Sequence, residues 1–202
     1  MTNILILYYS RNGTTKMMAN QIARGVESVA GVESILRTVP EISTVCEQTE
    51  NPIPEQGAPY ATIEDLKSCD GLALGSPTHF GNMAGALKHF IDKTTEIWFP
   101  GTLSGKPAGV FTSTSGMHSG HESTLLSMML PLMHHGMLIM SIPSNELALK
   151  QTSTGGTPYG PSHLTSSSDH LSANNLSNDE KTICWALGNR LAKTAEALKH
   201  IS

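Results

Sequence analysis

Three hydroxyls, a glycine and a carboxamide are gathered in one short stretch, Ser10-Arg11-Asn12-Gly13-Thr14-Thr15. The residues before it, Ile4-Leu5-Ile6-Leu7-Tyr8-Tyr9, form an unbroken apolar run, and a helical pattern follows at once. Such a run edged by turn residues suits a parallel strand buried on both faces. A phosphate binds well where strand passes to helix, because the first-turn amides are unpaired and the helix dipole is positive there. A plain polar turn with an N-cap threonine fits the same residues, so this loop by itself leaves both readings open.

Two common nucleotide motifs do not fit. No Gly-x-x-x-x-Gly-Lys-Ser/Thr occurs. A dinucleotide fingerprint needs Gly-x-Gly-x-x-Gly and an acid near the end of the second strand. Here the loop holds one glycine and the second strand closes on Leu36-Arg37-Thr38. Two later turns add weight to a ligand site. Gly75-Ser76-Pro77-Thr78-His79-Phe80-Gly81-Asn82-Met83 follows one apolar run and Thr112-Ser113-Thr114-Ser115-Gly116-Met117-His118-Ser119-Gly120 follows another. In doubly wound sheets, ligands sit outside the carboxyl ends of the strands, where the strand order reverses.

The elements that must position these loops alternate. The pattern predicts strands at Ile4–Tyr9, Glu33–Val39, Gly71–Gly75, Ala108–Phe111 and Met137–Met140. Met18, Ile22, Val26 and Val29 recur at helical spacing, Thr62-Ile63-Glu64-Asp65 has the form of a capping box, and Met83–Lys93 and Glu122–His134 read as helices. Ile183, Leu187, Leu191, Ala195 and Leu198 make one stripe of a last helix, with Asp179 and Glu180 at its start. Strand–helix alternation implies an α/β fold, a parallel sheet with helices on both faces. Glu41–Tyr60 and Gln151–Asn178 interrupt it and read as loops, the second containing an ordered turn at Gly155-Gly156-Thr157-Pro158-Tyr159-Gly160.

The chain has 202 residues, enough for one domain over 1–202. A net charge of −4 argues against nucleic acid as the main partner. Cys46, Cys69 and Cys184 are far apart and form no framework, which suits a reducing cytoplasm. No run approaches the ~20 apolar residues of a membrane span.

The chain resembles the WrbA family of flavodoxin-like NAD(P)H:quinone oxidoreductases. The resemblance lies in Leu7-Tyr8-Tyr9-Ser10, in Gly75 to Met83, in Phe111-Thr112-Ser113-Thr114, in His134-His135-Gly136-Met137 and in the Gly155–Gly160 turn, in order along nearly the whole chain. It implies a flavodoxin-like, doubly wound five-stranded parallel sheet, bound FMN, NADH or NADPH as co-substrate, and a tetramer. By position, Ser10, Arg11, Asn12, Gly13, Thr14 and Thr15 would hold the FMN phosphate. Pro77, Thr78, His79, Phe80 and Gly81 would line the isoalloxazine, and Ser113, Thr114, Ser115, Gly116, Met117 and His118 its other side. His134 would approach the flavin as the catalytic polar contact, and Asn12 and Trp98 would border the substrate space. Asn12 stands where the family often has an aromatic residue, and Met117 and His118 where glycine is frequent, which leaves the nicotinamide contact open.

Plainer readings stand beside these. His134 fits a buried, hydrogen-bonded helix histidine, and Trp98 a core plug, although the loop-like Phe99-Pro100-Gly101-Thr102 favours exposure. His118-x-x-His121 has metal spacing but lacks companion ligands, so no metal is expected. Met128, Met129, Met133, Met137 and Met140 read as filler, and Arg11 and Lys16 as solvated surface. The expected activity is two-electron reduction of a quinone by NAD(P)H, in a ping-pong cycle at one shared site. The alternatives are a one-electron flavodoxin-type carrier and an FMN-binding regulatory protein.

Overall fold

The computed structural model describes residues 1–42, 54, 57–165 and 175–199. Their elements are β1 (Thr2–Tyr8), α1 (Thr14–Glu27), β2 (Val32–Thr38), α2 (Ile63–Ser68), β3 (Gly71–His79), β4 (Asn82–Met83), α3 (Gly85–Asp92) and α4 (Thr95–Trp98). There follow β5 (Pro107–Thr114), α5 (His121–His134), β6 (Leu138–Ile139), α6 (Leu147–Gln151), β7 (Ser162–Leu164) and α7 (Asn178–Leu198). The central sheet runs β2-β1-β3-β5-β6, with every neighbouring pair on this path parallel. From β1 the chain steps one way to β2 and the other way to β3, so the order reverses at the β1/β3 boundary.

The apolar runs explain the sheet. Ile4, Leu5, Ile6 and Leu7 are fully buried, and all of β5 is buried. Their alternate side chains feed two cores. Leu5, Leu7, Leu72, Leu74 and Val110 pack with Leu87, Leu125 and Met128 on one face. Ile4, Ile6, Ala73 and Phe111 pack with Met18, Ile22, Ile183, Leu187 and Leu191 on the other. Helices α1 and α7 share that second face and meet at small residues. A Cβ on Gly25 would lie 2.1 Å from the Trp185 carbonyl oxygen, and one on Gly188 2.0 Å from that of Ile22. Only glycine allows this backbone approach.

The structure departs from the expected pattern at the edges. The run Met137–Met140 yields only two paired residues, because Ile142 turns away to bond Pro158, and β7 takes the same edge further along β5. The Gln151–Asn178 segment therefore contains a strand as well as the expected turn, where Thr157 and Gly160 exchange backbone hydrogen bonds. Helix α3 starts at Gly85 rather than Met83, because Met83 pairs back onto Thr78 in a hairpin. The surface-loop expectation for Glu41–Tyr60, like Cys46, falls mostly outside the described residues. Tyr60 itself bridges to Thr38 at the end of β2. Among the described residues no helix is long and apolar enough to cross a membrane.

Candidate functional site

At the carboxyl end of β1 the chain turns through Tyr9–Gly13 into α1. Gly13 caps the helix with φ +87°, a left-handed backbone that favours glycine. The helix has no side-chain cap and no acidic residue in its first turn. Its first turn thus carries no acidic side chain to neutralise its positive end. Ser10 Oγ accepts from the Lys16 amide at 3.3 Å, closing the loop over the first turn. Arg11 and Asn12 are exposed. Tyr9 is buried, and its hydroxyl donates to Glu41 at 2.8 Å. Burial and the neighbouring Glu41 carboxylate push its pKa up to about 12.

Thr14 and Thr15 are buried and face β5. Thr14 donates to Ser113 Oγ at 3.2 Å, and the Thr15 hydroxyl lies 3.0 Å from the same oxygen. Ser113 thereby fixes the first turn of α1 against the end of β5, which extends three residues into the expected loop. At that end Thr114 Oγ1 accepts from the Gly116 amide at 3.4 Å, while Ser115, Met117 and His118 in the third loop are exposed. A Cβ on Gly116 would lie 2.1 Å from Ser119 Oγ, so the turn is drawn tightly inward.

The second loop is a two-residue hairpin between β3 and β4. Its central residues, Phe80 and Gly81, have φ of +53° and +76°, both positive as a type I′ turn requires. Phe80 is the only described non-glycine residue with positive φ, and its ring is wholly exposed. Pro77 and Thr78 are half-buried and His79 is exposed. Thr124, at the start of α5, donates to Thr78 at 2.7 Å. A Cβ on Gly120 would come within 3.0 Å of the Gly81 Cα, so the second and third loops touch. The three loops predicted to form a site are brought to one edge of the sheet, around its switch point.

His134 is not brought there. It ends α5, and fourteen helical residues set it about 20 Å from the loop at Gly120. Its exposed ring stacks on Trp98 at 5.2 Å and 22°, and Trp98 Nε1 donates to the His134 carbonyl at 2.9 Å. Within a single chain α5 therefore carries His134 away from the three loops, toward the opposite end of the strands. Neither plainer reading holds, since His134 and Trp98 line a cleft of about 320 Å³ with Thr94 and Pro131. Asn12 and Trp98 likewise sit at opposite edges.

A buried carboxylate–histidine hydrogen bond that the sequence reading overlooked lies behind the third loop. Glu180 takes His163 Nδ1 at 3.0 Å and the amides of Gly155, Leu164 and Ser177 at 2.9, 3.3 and 2.8 Å. Burial would raise its pKa, but His163 and the amides of Ser177 and Leu164 outweigh it and hold it at about 2. His121 is buried in the same region, and burial lowers its pKa. Cys69 and Cys184 are buried free thiols whose pKa values burial raises, so neither is primed as a nucleophile. Among the described residues no three histidine, cysteine or acidic side chains converge.

A parallel sheet of this order, with polar loops clustered at its switch point, defines a flavodoxin-like protein. Solved structures agree. A WrbA-like flavodoxin protein from Agrobacterium tumefaciens superposes with a TM-score of 0.66 at 20% identity, covering 98% of this chain and 99% of that one. Oxidised flavodoxin 1 from Bacillus cereus does so at 0.60 and 16% identity, covering 95% and 98%. The chain belongs to the NADPH-dependent FMN reductase family, whose model matches residues 2–153. It is 42% identical over 168 residues to the NAD(P)H dehydrogenase (quinone) of Solidesulfovibrio magneticus, covering 78% of this chain and 81% of that one. Its identity to the enzyme of the same name from Geobacter sulfurreducens is also 42%, over 170 residues, covering 80% and 83%. These relatives bear out the WrbA-family resemblance drawn from the motifs.

Proposed function

We propose that this chain binds FMN at the three loops and reduces quinones to hydroquinones with NADH or NADPH as donor. The observation that carries the reading is the acid-free start of α1, whose N-cap Gly13 has no side chain to occupy the site, with Thr14 and Thr15 held against Ser113. These residues fit a phosphate: amides and hydroxyls surround the point, and Gly13 leaves open space where a side chain would stand. When bound there, FMN would supply two-electron chemistry, taking up the nicotinamide's hydride equivalent and passing it to the quinone, with the second proton of the hydroquinone coming from solvent.

The protein's part is to bind, orient and exclude water. Ser10–Thr15 hold the phosphate, with Arg11 at the solvent side. Pro77–Gly81 and Ser113–His118 flank the ring, and the strained hairpin offers Phe80 as an apolar surface. Donor and quinone take turns over one face, so the kinetics are ping-pong. Asn12 borders the nicotinamide.

His134 and Trp98 then act on the site of a neighbouring copy. Support comes from their distance from their own loops, and from Leu126, Leu130 and Met133, which leave one side of α5 apolar and exposed. A second copy covering this stripe is consistent with a dimer or tetramer. There His134 can donate a hydrogen bond, or a proton's charge, to a quinone or flavin oxygen. The dispersed cysteines suit a cytoplasmic setting.

Purified protein mixed with NADH or NADPH and benzoquinone tests the reading. Turnover with parallel double-reciprocal lines is expected. Tight FMN binding without NAD(P)H oxidation would point instead to a carrier.

A further inference from the structure

We infer that Glu180 and His163 are positioning residues for the phosphate loop, although neither lies within it. The inference rests on the reading that Ser10–Thr15 hold the FMN phosphate. Strand β7 has three residues and no partner among the described strands except β5. A strand so short is fixed chiefly by what holds its side chains and flanks. Glu180 does this from the first turn of α7. One carboxylate oxygen takes the amides of Gly155 and Leu164, and the other takes His163 and the amide of Ser177. His163 in turn is the register partner of Ser113. The two side chains lie on the same face of the sheet, His163 against α7 and Ser113 against α1. Flanking bonds tie the strands together: Thr112 donates to Pro161 at 3.0 Å and Thr165 to Thr114 at 2.7 Å. The chain of support runs from α7 through β7 to the end of β5, and from Ser113 to Thr14 and Thr15. Losing the buried carboxylate frees β7, and Ser113 then no longer sets the two threonine hydroxyls.

Four variants of the full chain separate positioning from general stability. Glu180→Gln removes the charge. His163→Leu removes the donor, and His163→Gln restores an N–H that can reach Glu180. Ser177→Ala removes the hydroxyl cap on the Glu180 amide but leaves the bonds to β7. The readouts are FMN dissociation constants from fluorescence quenching, melting temperatures, and exchange rates of the Thr112 and Thr165 amides. Glu180→Gln and His163→Leu are expected to weaken FMN by about tenfold and speed exchange at both amides. His163→Gln and Ser177→Ala are expected to stay within about twofold of the parent, as their ties to β7 persist. Parent-like binding in Glu180→Gln and His163→Leu would overturn the inference. So would a loss in Ser177→Ala that matches Glu180→Gln at equal melting temperature. If the parent chain itself ignores FMN, the phosphate-loop reading fails, and the exchange rates alone report whether Glu180 anchors β7.

Discussion

Phe80 is the residue whose backbone is hardest to account for by folding alone. An aromatic side chain at φ +53° costs roughly 1–3 kcal/mol, and its wholly exposed ring recovers nothing from burial in its own chain. Replacing it with asparagine, which tolerates this conformation, is expected to stabilise the FMN-free protein by about 1 kcal/mol in thermal unfolding and to weaken flavin binding. Glu180 carries a pH dependence whose sign follows from its depressed pKa. Its ordinary value is 4.5 and its folded value about 2, so its contribution is complete above 4.5 and is lost as the pH falls toward 2. Burial lowers the pKa of His121 and His135, which adds a shallower decline beginning below 6.5. Denaturation midpoints measured from pH 8 to pH 2 are expected to fall in these two stages, and Glu180→Gln to flatten the acid stage. Ser177 and Glu180 form a capping box that was not read from the sequence, where only the place of Glu180 as an acid at the helix start was legible. The reach of Glu180 to His163 was not, because it depends on a tertiary contact that local spacing does not encode.

Among the elements, those with long, uniform patterns were legible. The apolar runs Ile4–Tyr8 of β1 and Ala108–Phe111 of β5, and the three- and four-residue recurrences of α7, reflect burial against a sheet or a helix. The short ones were not. β4 hides inside a helix-like stretch, and the Ser-His-Leu of β7 has neither alternation nor a β-branched residue, so only pairing to β5 makes it a strand. The α1–α7 crossing was also silent, since Gly25 and Gly188 lie in amphipathic patterns that show no need for glycine. Gly188→Ala is expected to force the two helices apart at Ile22, lowering stability by about 1–3 kcal/mol in chemical denaturation. Because α1 carries the phosphate loop, the same variant is expected to loosen FMN binding.

At the scale of the whole molecule, the sheet order places three loops together but separates them from Trp98 and His134. The motifs gave the loops and the histidine equal standing. What they could not reveal is that α5 runs about 20 Å along one face of the sheet, from Gly120 beside the loops to His134 at the far end of the strands. The proposed remedy is a neighbouring copy seated on the exposed stripe Leu126, Leu130 and Met133. His134→Ala is accordingly expected to keep the fold and FMN affinity while lowering quinone turnover at least about tenfold, as loss of a polar catalytic contact does. Mixing that variant with a phosphate-loop variant, Thr15→Asp, is expected to restore part of the activity if the site is shared between copies. Unchanged turnover in His134→Ala would remove its catalytic role. The most direct measurement of all is titration of the FMN-free chain with FMN and, separately, with riboflavin. Submicromolar binding of FMN is expected, weakening by two orders of magnitude or more when the phosphate is missing, a loss of about 3 kcal/mol or more. Equal affinity for the two, or no binding of either, would contradict a phosphate grip at Ser10–Thr15.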